Sequence, residues 1–211
     1  MSPPRRSLFS LPDLSSLSPF SSNSGETQTY HERKILPYKR SQLYQVVADV
    51  GSYPRFLPFC TDSRILQNSP SPSITTERQP SSVSVMEAEL TVGFLSFKES
   101  YISQVTCRPD ESVEAVASSS TPLFKDLVTT WRFQDASPQS PHPSTRLPTP
   151  SSQNSSNLSD EGPTLVTLDL AYAFANPVHA TVSAAFFGQV SKLMVKAFEE
   201  RCRELYGPGD R

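Results

Sequence analysis

The chain has 211 residues, with 20 Pro, only 7 Gly and many serines; at 36% hydrophobic and 19% charged it mixes a foldable core with polar, proline-rich stretches. A net charge of −2 argues against nucleic-acid binding driven by bulk charge, and no run of about 18 apolar residues offers a conventional membrane-spanning helix. Three widely spaced cysteines (Cys60, Cys107, Cys202) give neither a disulfide framework nor a zinc signature, which suits a reducing interior.

Residues 1–27 admit two readings. Arg5, Arg6, many serines and no acid before Asp13 suit a mitochondrial presequence. Pro3, Pro4, Pro12 and Pro19 would interrupt the amphipathic helix of such a segment and suit an unstructured tail. Tyr30 to Leu36 then reads as a strand that turns at Pro37. Ser41 precedes a helix over Gln42–Val50, with Leu43, Val46, Val47 and Val50 on one stripe and Gly51 at its end. Residues 52–60 are aromatic and broken by Pro54 and Pro58, so they form at most one helical turn. Residues 68–82 read as a polar insert.

Strands follow. Met86, Ala88, Leu90, Val92 and Phe94 alternate with Glu87, Glu89, Thr91 and Gly93, which predicts one apolar face and one wet face. Phe97 to Thr106 is the return strand of a hairpin, and Val113 to Ala117 is a short strand. In Asp126 to Phe133, residues Leu127, Thr129, Trp131 and Phe133 share a face. Residues 135–163 lack apolar periodicity and read as a long polar loop. Val166, Leu168, Leu170, Tyr172 and Phe174 alternate again. Asn176 caps a long final helix, and Pro177 suits its first turn. Val182, Phe186, Val190, Leu193, Met194, Ala197 and Leu205 keep helical spacing on it. Gly188 inside this helix reads as merely tolerated. Gly207 and Pro208 stop the helix, leaving 208–211 as a tail.

This order predicts an α+β domain over residues 28–207, about 140 of them ordered, with the long helix against a curved antiparallel sheet. No Ser/His/Asp or Cys/His arrangement supports catalysis. His31, His142 and His179 are scattered and read as solvent-facing or capping residues. Cys60 reads as a buried structural thiol. Glu99 and Tyr101 share one strand face, as a polar spot inside the domain or as part of a solvated strand. Leu57, Leu90, Val92, Phe94, Tyr101, Trp131, Phe174, Phe186, Phe187, Val190 and Met194 converge between sheet and helix. The pattern alone leaves open whether they fill one another or enclose a hollow. Tyr53, Phe56, Leu57 and Phe59 sit in a proline-bounded turn, and either dip into a membrane interface or join the core.

Four strings carry a family resemblance: Tyr44-Gln-Val-Val-Ala-Asp-Val-Gly-Ser-Tyr-Pro-Arg-Phe-Leu-Pro-Phe-Cys60, Ala88-Glu-Leu-Thr-Val-Gly-Phe94, Leu123-Phe-Lys-Asp-Leu-Val-Thr-Thr-Trp-Arg-Phe133 and Phe186-Phe-Gly-Gln-Val-Ser-Lys-Leu-Met-Val-Lys-Ala-Phe198. Over residues 30–207 the chain resembles the START-like (polyketide cyclase/lipid-transport) superfamily, and within it the mitochondrial coenzyme Q-binding proteins. It departs at Phe59, where Trp is frequent, at Gly188, where an acidic residue is common, and in the long 135–163 insert.

The resemblance implies a helix-grip fold with a hydrophobic cavity between sheet and helix. It makes the eleven converging residues the ligand-binding set, with Tyr53, Phe56 and Phe59 as membrane contacts. The implied ligand is coenzyme Q (ubiquinone), bound and transferred without catalysis or metal. The implied location is peripheral, on the matrix side of the mitochondrial inner membrane. Implied partners are that membrane surface and complexes of respiration or quinone biosynthesis. A cyclase or hydrolase on the same scaffold would need an acid–base pair, for which only Glu99 and Tyr101 offer themselves. A ribosome-association protein, like the related bacterial toxins, would need a basic patch.

Overall fold

The computed structural model describes residues 27–70, 83–94, 97–118, 124–137, 162–175 and 177–209, without the side chains of 68–70, 94, 97 and 177–189. Strand β1 (Gln28–Leu36) leads to helix α1 (Arg40–Ala48) and a 3₁₀ helix (Val50–Arg55). Six strands follow: β2 (Cys60–Pro70), β3 (Ser84–Phe94), β4 (Phe97–Arg108), β5 (Ser112–Ala117), β6 (Phe124–Asp135) and β7 (Thr164–Phe174). Helix α2 (Pro177–Tyr206) closes the domain. The seven strands form one antiparallel sheet in the order β1-β7-β6-β5-β4-β3-β2. The sheet is thus a meander from β2 to β7, with the first strand laid beside the last. Helix α1 and the 3₁₀ helix carry the chain from one edge to the other.

Helix α1 starts two residues earlier than its sequence suggests. The side chain of Gln42 accepts the Lys39 N–H at 3.0 Å, so Lys39 rather than Ser41 stands at the cap. Leu43, Val46 and Val47 are buried, as the stripe predicts. The helix ends at Ala48, and Gly51 lies inside the 3₁₀ helix rather than terminating α1. Phe59 then turns the chain into β2 at φ +66°, a conformation uncommon for a bulky residue, and its carbonyl accepts the Gly93 N–H at 2.8 Å.

Strand β2 has no clear sequence signature and runs into the expected 68–82 insert. It is an edge strand paired only with β3, and register shifts at Cys60/Asp62 and Ile65/Gln67 break its two-residue period. Neighbouring Ile65 and Leu66 are both exposed. In β6 a shift between Phe124 and Asp126 lets Phe124 and Leu127, three residues apart, both face inward.

Helix α2 lies against the concave face of the sheet. Val190, Ala197, Phe198 and Cys202 are buried on its inner side. Leu193 and Leu205, assigned to that stripe from spacing, are instead 44% and 50% exposed. Asn176 lies outside the described residues. Gly207 ends the helix at φ +79°, with its N–H on the Arg203 carbonyl at 3.0 Å and its own carbonyl accepting the Tyr38 hydroxyl at 2.9 Å. Lys34 of β1 pairs with Glu199 of α2 at 2.5 Å, tying helix to sheet.

The core has two connected parts. The larger lies under α1 and the C-terminal half of α2; the smaller gathers Phe124, Leu127, Leu170 and Tyr172. Phe198 is central to the first. Its ring centroid lies 4.9 Å from Trp131, 5.3 Å from Phe56 and 5.5 Å from Tyr53. Phe198→Ala would remove all three contacts. It is expected to lower unfolding free energy by about 3–5 kcal/mol in urea titrations, and a loss below about 1 kcal/mol would contradict this placement.

Candidate functional site

A cavity of about 90 Å³ lies between the sheet and α2. The turn after α1 supplies Val50, Tyr53 and Leu57; β3 supplies Leu90. Strand β4 contributes Tyr101, Ser103 and Val105, and β5 contributes Val113 and Ala115. Leu127, Thr129 and Trp131 come from β6, and Met194 and Phe198 from the roofing helix. The hollow has a local cause. Ser103 pairs in register with Ala88 on one side and Ala117 on the other, so small residues floor the sheet under the helix. The volume is well below the roughly 300–1,000 Å³ of ordinary ligand clefts and nearer the roughly 150 Å³ that admits one benzene ring.

The polar side-chain groups of the described lining are the hydroxyls of Tyr53, Tyr101, Ser103 and Thr129 and the indole N–H of Trp131. The Tyr53 hydroxyl donates to the Val47 carbonyl at 2.5 Å. Tyr101 packs edge-on against Phe124, with ring centroids 5.3 Å apart. Burial pushes both phenols well above the ordinary tyrosine range, so they stay neutral donors.

Of the eleven residues expected to bind ligand, Leu57, Leu90, Tyr101, Trp131 and Met194 line this cavity. Val92 and Phe174 pack instead around the smaller core cluster, farther along the sheet. Val190 is buried on α2 but is not part of the lining. The side chains of Phe94, Phe186 and Phe187 lie outside the described residues. Glu99 shares the strand face of Tyr101 but does not reach the lining. Of the turn residues, Tyr53 and Phe56 direct their rings at Phe198 and at each other, 5.9 Å apart, and Arg201 covers Phe56 at 5.7 Å. Phe59 is half-buried.

Sequence reasoning missed a second, smaller space of about 20 Å³ between α1, β1 and α2, room for about one water. Trp131 and Phe198 line both spaces and form the partition between them. Glu32, Lys34 and Glu199 reach this side. The Tyr30 hydroxyl donates to Glu32 at 2.7 Å. The signal was present: Tyr30, Glu32, Lys34 and Leu36 alternate on one strand face, so charge and apolar surface share the inner side of β1.

The remaining reactive groups are placed elsewhere. His31 sits on the outer face beside Asp169 at 2.6 Å, and Asp169 also accepts from Arg132. His142 and the His179 side chain lie outside the described residues. No group of metal-ligating side chains gathers among the described residues. Cys60, Cys107 and Cys202 are free and buried. Burial pushes the Cys60 thiol up to about 11 and Cys202 to about 12, and raises Cys107 as well. A thiol reagent such as DTNB at pH 7 is therefore expected to leave all three unmodified in folded protein and to titrate three after urea. Rapid reaction of one native thiol would reverse this.

Comparison with known proteins adds three kinds of likeness. A family profile described as polyketide cyclase/dehydrase and lipid transport matches residues 36–199. The mitochondrial coenzyme Q-binding protein of Dictyostelium discoideum is 33% identical over 174 residues, 82% of this chain and 68% of that protein. The ribosome association toxin of Pseudomonas aeruginosa is 28% identical over 173 residues, 82% of this chain and 94% of the toxin. Among solved structures, the Zhui aromatase/cyclase from Streptomyces sp. R1128 superposes with a TM-score of 0.59 at 13% identity, covering 88% of this chain and 100% of the other. The last likeness concerns the fold alone.

Proposed function

The chain belongs to the polyketide cyclase/dehydrase and lipid-transport family, among its coenzyme Q-binding proteins, and from that premise we propose that it binds coenzyme Q in the helix-roofed cavity and transfers it without chemical change. The observation that carries this reading is the character of the hollow. Its described lining is aliphatic and aromatic, relieved by hydroxyls and the Trp131 indole N–H, with no carboxylate, imidazole or thiol. Such a surface solvates a prenylated ring, while acid–base turnover would need a group that changes charge near neutral pH. The phenols of Tyr53 and Tyr101, held neutral by burial, do not supply one.

The energetics favour exchange over trapping. Burying several hundred Å² of isoprenoid tail contributes about 10 kcal/mol relative to water, at about 25 cal/mol per Å². Relative to a bilayer the same burial contributes almost nothing, because lipid is equally apolar. The protein therefore takes quinone from one membrane region and returns it to another. At about 90 Å³ the cavity holds less than a whole quinone, so loading must widen it, by movement of α2 or of the Tyr53–Phe59 turn.

No helix among the described residues is long and apolar enough to cross a membrane. The proposed setting is peripheral, on the matrix side of the mitochondrial inner membrane, with delivery to respiratory or quinone-biosynthesis complexes. Similarity to the ribosome association toxin supports a second reading, contact with ribosomes, which salt-sensitive ribosome co-sedimentation would reveal.

Organic extraction of protein purified from quinone-producing cells, followed by mass spectrometry, is expected to yield coenzyme Q near one equivalent. The purified protein should also speed quinone transfer between donor and acceptor liposomes. Extracts free of quinone, together with no acceleration of transfer, would overturn the carrier reading.

A further inference from the structure

We propose that the Tyr101 and Ser103 hydroxyls are the head-group subsite of this cavity, donating to the oxygen atoms of a quinone ring that enters before its tail. This deepens the proposed function and rests on it. The two residues stand two apart on β4, so strand periodicity puts both side chains on the inner face, and both line the cavity. Ser103 is 2% exposed. Its neighbours in register, Ala88 and Ala117, are too short to cover its hydroxyl. Neither hydroxyl has a hydrogen-bond partner among the described residues. The other phenol of the lining differs: Tyr53 already spends its proton on the Val47 carbonyl and serves the turn.

Hydroxyls that open on an apolar hollow without a protein acceptor are unfavourable, and a native site that keeps two on one strand face has a use for them. Their chemistry selects the guest. A dialkoxy-benzoquinone carries carbonyl and ether oxygens, all acceptors, and lacks donors. Tyr and Ser hydroxyls supply the donors it lacks. An isoprenoid tail in the same place would leave both unpaired, so the ring is favoured there and the tail is directed away. The size of the hollow agrees, being closer to one ring than to a prenyl chain.

Trp131 reports on the subsite directly. It is the single tryptophan of the chain and lines the same cavity, so a quinone bound there quenches its fluorescence. The full chain is titrated with ubiquinone bearing two prenyl units, and in competition with a ring-less isoprenoid hydrocarbon of similar length. Tyr101→Phe and Ser103→Ala are each expected to weaken quinone binding by about three- to tenfold, and the pair by more, while hydrocarbon affinity is unchanged. Loss of one hydroxyl leaves ring and backbone intact, and an unaltered hydrocarbon titration certifies folding. Unchanged quinone affinity, or equal weakening of both ligands, overturns the subsite. If the wild-type protein itself fails to bind quinone, the carrier reading falls; if it binds but the variants do not discriminate, only the subsite falls.

Discussion

The packing of Phe198 between sheet and turn is the contact on which this architecture depends. A long amphipathic helix laid on a curved sheet needs something to fix its height and rotation. Phe198 does both, because it meets Trp131 from β6 and the Tyr53–Phe56 pair from the turn after α1. It thereby sets the roof of the larger cavity, closes one of its ends, and walls it off from the smaller space beside Lys34 and Glu199. The Lys34–Glu199 pair, one residue on, and the Tyr38–Gly207 hydrogen bond hold the same C-terminal half of the helix.

Much of the fold was legible because burial is periodic. Strand β3, with Ala88 and Leu90 inward, follows the two-residue rhythm of the sequence, and on β7 Val166, Leu168, Leu170 and Tyr172 are buried as expected, although Leu165, Thr167 and Ala173 of the alternate face are buried as well. Strand β2 was not legible, because an edge strand interrupted by two register shifts keeps no rhythm and has no face that must be apolar. On α2 the spacing argument drifted. Leu193 and Leu205 are apolar at helical intervals yet exposed, while Ser191 and Cys202 occupy the inner face. A hydrophobic stripe over thirty residues must choose one phase, and apolar residues off that phase look the same in sequence.

The cavity was legible only in part, and for a different reason. Periodicity reveals which face a side chain occupies, but not its depth along the strand. Val92 and Phe174 lie on the correct face and yet belong to the neighbouring cluster. Phe198, the partition, was quoted among the resembling strings without being assigned to the site. The expected set lacked larger lining residues such as Val105, Val113 and Leu127. It also lacked Ser103, Ala115 and Thr129, because a hollow is made by what small residues leave empty. Large apolar residues announce themselves in a sequence; the short ones beneath them carry no propensity signal of their own.

These features favour a carrier that holds its cargo loosely. An apolar guest gains little by leaving a bilayer for an apolar pocket, so selectivity must come from the few polar groups that hydrocarbon cannot satisfy. The described lining offers them as hydroxyls and one indole N–H, all neutral at physiological pH, with burial opposing ionisation of the two phenols. A charged group in the same position would bind water or a counter-ion in the empty state and raise the barrier to exchange. Neutral donors under the helix suit recognition of a quinone ring without a deep well, which is the balance that repeated loading and release require.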